Sequence, residues 1–154
     1  MSCDVAVSAA ILLASFSPAN TPARQVIPAV AVKAANPLAA EPLFADIIGR
    51  ARSLNASVEA FRKAAGAPPK FDAFKAEVEA LAALDMKGHV ELAARGTDGD
   101  LKCILKGIAQ DLPLKLADLM AAKDAPARDS ALREMAYLLT DNVEVITAPP
   151  APPV

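Results

Sequence analysis

With 154 residues the chain has room for one domain and for flexible ends besides. Its hydrophobic content is 54% but rich in alanine, with five Phe, one Tyr and no Trp, so a core must rest on Leu, Ile, Val and Met, which favours helices packed on helices. A net charge of −2, with Lys and Arg interspersed among Asp and Glu, excludes the concentrated basic surface of a nucleic-acid module.

The front end opens with an apolar run, Val5 to Phe16, followed by small residues and prolines at Ser17-Pro18-Ala19 and Thr21-Pro22-Ala23. Spanning a bilayer takes roughly 20 apolar residues, so no stable membrane span is expected here. The run has the length of a signal-peptide core, and cleavage after Ala19 or Ala23 would leave small residues at the required positions. Against this, the segment before the run carries Asp4 and no Lys or Arg. Either the true start lies upstream or the run is a cytoplasmic extension. The expectation is a leader over residues 1–23 and a periplasmic or secreted bacterial protein.

Pro28, Pro37 and Pro42 punctuate the next stretch of chain, and each fixes its own φ and removes an amide donor. Residues 24–42 are therefore expected to be a disordered linker. The clearest helical signal comes next: Phe44, Ile47, Ala51, Leu54, Val58, Phe61 and Ala65 recur three and four apart, which lays one apolar stripe along a helix. Pro42 suits its first turn, and Gly66 with Pro68-Pro69 ends it.

A second helix begins at Lys70 with Phe71, Phe74, Val78 and Leu81 in the same spacing. The pattern then slips at Leu84-Asp85-Met86, and Met86, Val90 and Ala93 fall on a rotated stripe. A bend or short break near Asp85 to Gly88 is expected. The turn Gly96-Thr97-Asp98-Gly99 comes after it, with Asp98 as N-cap of the next helix. That third helix, Asp100 to Ala122, places Leu101, Leu105, Ile108, Leu112, Leu116 and Leu119 on one face, with Pro113 inside it as a source of a kink. The fourth starts after Asp124-Ala125-Pro126, a cap followed by a first-turn proline. Leu132, Met135, Leu139 and Val143 form its stripe, and Val143 to Ile146 are expected to fray.

Four stripes joined by short turns predict an all-α fold, an up-and-down antiparallel four-helix bundle with coiled-coil-like packing over residues 43–146. A bundle with one helix broken in two is the nearest alternative. Residues 147–154, ending in Ala148 to Val154, form a Pro-rich tail expected to be disordered.

Chemistry-bearing residues are few. His89 is the only histidine and has no nucleophile-elbow context around it, so no catalytic residue is nominated. His89 with Met86, Met120 and Met135 has the composition of a haem site, but there is no CxxCH, and Met in a bundle serves as core filler. Asp98 and Asp100 flank Gly99 without the other oxygen ligands of a calcium loop. No metal or cofactor is expected. The two cysteines, Cys3 and Cys103, form no CxxC and no zinc spacing. Loss of the leader would leave Cys103 as a single thiol. At about 100° per residue it projects away from the Leu101/Leu105/Ile108 stripe, beside Lys106 and Gln110. Either another helix covers that side, or the thiol links two copies into a homodimer or is activated by Lys102 and Lys106.

Cys103-Ile104-Leu105-Lys106-Gly107 resembles the phosphoacceptor stretch of histidine-phosphotransfer domains, His-x-Leu-Lys-Gly on the exposed face of a four-helix bundle. Leu105, Lys106, Gly107 and Leu112 stand in matching places, while Cys103 replaces the histidine and Pro113 a small residue. The resemblance implies a degenerate, docking-only domain that binds a response-regulator receiver in the cytoplasm, through Cys103, Lys106, Gly107 and Gln110. The first expectation remains a non-catalytic exported bundle that binds a protein or small ligand.

Overall fold

A computed structural model describes residues 36–64, 71–96 and 99–148. Four helices account for nearly all of them: α1 (Pro42–Lys63), α2 (Phe71–Arg95), α3 (Gly99–Ala121) and α4 (Ala125–Thr147), preceded by a 3-10 turn at Pro37–Ala40. The expected leader, the Pro68-Pro69 stop, the Asp98 cap and the part of the expected tail after Ala148 lie outside the described residues, while Thr147, expected to begin that tail, is the last residue of α4.

Polar contacts between neighbouring helices give the direction of each. Arg95, last in α2, grips Glu41 just ahead of α1, with N–O distances of 2.8 and 3.0 Å. Lys115 late in α3 pairs with Glu134 early in α4 at 2.7 Å, and Arg62 near the end of α1 with Asp129 near the start of α4 at 3.1 Å. His89, late in α2, meets the carbonyl of Lys102, early in α3. Each contact joins the end of one helix to the start of another, so all adjacent pairs run antiparallel. Helices consecutive in the chain pack on one another, and α1 closes on α4. Among the described residues α1 and α3, and likewise α2 and α4, face each other across the core without backbone contact. This is the up-and-down four-helix bundle that the spacing predicts.

The stripes of α1 and α3 are buried as expected. Phe44, Ile47, Ala51, Leu54 and Val58 face inward from α1, joined by Ile48, while Phe61 is half-buried. On α3 the whole leucine-rich stripe is buried together with Ala109. Pro113 lies in the interior of α3, which continues through it, and its ring is on the exposed side. At the end where α1 stops and α2 starts, the Phe61 and Phe74 rings meet edge to face at 5.1 Å. Gly96 ends α2 at φ +65, the left-handed geometry that favours glycine in this position.

Three expectations are corrected. First, α2 is unbroken. Its inward face runs Phe74, Val78, Leu81, Asp85, Gly88 and Leu92, all buried, at steps that keep the three-and-four alternation. The apparent slip arises because a carboxylate and a glycine occupy core positions. Met86 is half-buried instead, and Val90 is 59% exposed. Secondly, α4 does not fray at Val143. It continues to Thr147, with Asn142 and Ile146 fully buried. Thirdly, order begins earlier than residue 43. Asn36 donates through Nδ2 to the Ile146 carbonyl at 2.8 Å and accepts from the Leu38 amide at 3.1 Å, so one side chain caps both the end of α4 and the 3-10 turn. At the other end of α4, Asp124 accepts from the Ala127 amide at 2.8 Å, the cap the sequence predicts.

Candidate functional site

The surface named from the sequence lies on α3. Lys106 and Gln110 are exposed, and Gly107 is half-buried. A Cβ added to Gly107 would have no atom within 4 Å, so the backbone there opens onto free space. Cys103 is half-buried and disulfide-bonded. The four residues therefore share one helix face, and the structure leaves three of them approachable from outside.

His89 does not gather partners for catalysis. Its Nδ1 lies 2.7 Å from the Lys102 carbonyl oxygen, so that nitrogen carries the proton and donates, and the imidazole links α2 to α3. The methionines do not converge on it. Met135 is buried in the core while Met120 is 56% exposed.

An open groove of about 600 Å³ lies between α1 and α2. Gly49, Ser53 and Ser57 recur four apart along its α1 wall, where small side chains leave the space unfilled. Arg50 crosses the groove to Glu77 at 3.1 Å while also holding Asp46 at 3.0 Å. Phe61 and Phe74 add an apolar end. Such a surface offers an apolar floor, two hydroxyls and a paired guanidinium, which suits contact with a peptide or a small amphipathic molecule.

One polar arrangement has no counterpart among the sequence expectations. Asp85 of α2 and Asn142 of α4 are both fully buried, and Asn142 Nδ2 donates to Asp85 Oδ2 at 2.8 Å. Burial pushes the Asp85 carboxyl up to about 7, opposed by the hydrogen bond from Asn142. The signal available in the sequence is positional: each residue falls on the inward register of its helix, where a polar side chain requires a partner.

Comparison of the chain with protein-family models, curated proteins and solved structures gives no match.

Proposed function

We propose that this protein is a non-catalytic helical bundle, exported from a bacterial cell, that acts by holding a partner protein or small ligand on its surface. The observation that carries the reading is the use made of the charged side chains. Arg50, Arg62, Arg95 and Lys115 each pair with a carboxylate on another helix or beside one, so they clamp helices together. Exposed pairs of this kind add little stability each, but they fix the helix arrangement and leave the groove between α1 and α2 as the recessed surface for a ligand. Export rests on the apolar Val5 to Phe16 run and the small residues after it.

A second reading keeps the likeness of Cys103 to Gly107 to phosphotransfer domains. It is favoured by the open space beside Gly107 and by the exposed Lys106, where a receiver domain would approach. Cysteine in the histidine position makes it a docking reading without phosphorelay.

The two readings part at the N-terminus. Cys3 precedes both cleavage points, so a chain cleaved there keeps Cys103 as its single cysteine. Leader removal and a disulfide within one monomer are therefore alternatives. Intact mass of the protein isolated from its native cells, with and without reductant, separates them. A chain beginning at Asn20 or Arg24 is the expected result, and under non-reducing conditions a doubled mass would identify a dimer linked through Cys103. A mass covering all 154 residues, lighter by two hydrogens before reduction, contradicts cleavage and turns the choice towards the docking reading.

A further inference from the structure

We propose that Asp85 is carried in the core as a neutral carboxylic acid, closed into a two-bond ring with Asn142, and that this ring is a proton-dependent latch between α2 and α4.

The geometry begins with the bundle diagonal. The backbones of α2 and α4 make no contact, so these two side chains reach towards each other through the centre of the core. One bond is in place, from Asn142 Nδ2 to Asp85 Oδ2. The two remaining oxygens, Asp85 Oδ1 and Asn142 Oδ1, are buried without a hydrogen-bond partner. Both are acceptors while Asp85 is ionised, so they cannot satisfy one another. A proton on Asp85 Oδ1 changes that, because the acid O–H then donates to Asn142 Oδ1. One proton thereby satisfies two buried atoms, each of which otherwise carries a desolvation penalty.

The surroundings supply nothing that would hold a charge. The inward residues of α1 are Phe44, Ile47, Ile48, Ala51, Leu54 and Val58. Those of α3 are apolar throughout, and Asn142 is the only polar residue on the inward face of α4. The charged groups of these elements stand outside the core. On α1, Asp46 and Arg50 pair with each other, and Arg50 with Glu77 of α2. On α3, Lys106 and Asp111 are exposed and Lys102 is half-buried. On α4, Asp141 is half-buried, raised from its ordinary value by burial and then by Glu144. On α2 itself, His89 engages the Lys102 carbonyl, and Lys87 is exposed. Desolvation is the leading influence on Asp85, and no charged side chain offsets it.

Loss of the proton to water leaves an unpaired charge among hydrocarbon side chains and two buried oxygens without a donor. The latch then favours opening. The direction with pH is set by the proton count. The folded carboxyl releases its proton near 7 and the unfolded one near 3.8, so between these values the folded state holds a proton that the unfolded state has lost. Stability from the latch is complete below the lower value, declines as pH rises through the window, and levels off above the upper one. Acid tightens this bundle and alkali loosens it.

The test is urea unfolding of the full chain between about pH 5 and about pH 8, for the wild type and for Asp85→Asn. In the variant an amide pair forms the same ring without a titrating group. The unfolding equilibrium constant of the wild type is expected to rise on the order of 100-fold across this range. The variant should keep only the shallow dependence contributed by Asp141, which it retains. Parallel pH profiles for the two proteins would overturn the proposal. Should the variant fail to fold, the carboxyl-carbon resonance of Asp85 in the isotope-labelled wild type decides alone. A titration midpoint near neutrality supports the latch, and a midpoint in the ordinary aspartate range of about 4, as for a carboxylate held by buried water, refutes it.

Discussion

Phe44→Ala is expected to destabilise the protein by about 3–5 kcal/mol, read as a fall in the urea midpoint at unchanged slope. Phe44 is fully buried, and the space into which its ring fits is created by a residue on another helix. A Cβ placed on Gly88 of α2 would lie 3.2 Å from Leu105 Cδ1 and 3.4 Å from both Ile47 Cδ1 and Phe44 Cε1. Three helices thus converge on a glycine. Removing the ring leaves a cavity that the surrounding leucines and isoleucines fill only in part, and the cost is a large share of a domain stability of about 5–15 kcal/mol. The pairing with Gly88 makes the prediction specific. Gly88→Ala crowds three side-chain ends in the wild type but gains room once Phe44 is truncated. The double variant should therefore be more stable than the sum of the two single effects requires. Strict additivity would show that Phe44 and Gly88 do not share a packing site.

Asn142→Leu is expected to be the second severe change, and it differs in kind. It adds no cavity, but it removes the donor to Asp85 and leaves a carboxyl buried with no partner at all. The penalty is about 1–3 kcal/mol while Asp85 stays protonated, and about 3–5 kcal/mol where it must ionise. Asp85→Leu combined with Asn142→Leu replaces both polar groups with hydrocarbon of similar volume. Buried pairs exchanged in this way are often neutral or stabilising, so the double variant should recover wild-type stability or exceed it at neutral pH. Chemical denaturation of the three variants at one pH checks this. If the double variant is as unstable as the single one, the damage lies in packing and not in an orphaned carboxyl.

These two sites also mark where the fold was legible in the sequence and where it was not. The helices whose inward faces are spelled in Phe, Ile and Leu, α1 and α3, emerge directly from spacing, because each hydrophobic side chain reports its own burial. On α2 and α4 the inward register continues through Asp85, Gly88 and Asn142, which report nothing to a reading based on hydrophobicity. The expected break at Asp85 is a consequence of one feature, the polar pair Asp85 and Asn142 meeting across the core. Neither residue identifies the other from sequence, since their partnership depends on which helices stand on the diagonal. The 3-10 turn at Pro37–Ala40 was hidden for a similar reason. Its order comes from Asn36 capping α4, a contact across 110 positions of chain.

The candidate surface was legible in a coarser sense. The spacing placed Lys106 and Gln110 on the outer side of α3, and they are exposed there. The groove between α1 and α2 was not foreseen, because Gly49, Ser53 and Ser57 are small, and small residues on a helix signal either close packing or open space. Which of the two occurs depends on the partner helix.

The central physical claim is that all four helices share one core and so unfold together. Native-state hydrogen exchange, read at the amides of Leu54, Leu81, Leu112 and Leu139, tests it most directly, because each is buried on a different helix. A single opening free energy for the four, equal to that of global unfolding, is the predicted result. Faster exchange confined to α1 and α4, with α2 and α3 still protected, would show two helix pairs that open independently and contradict the account.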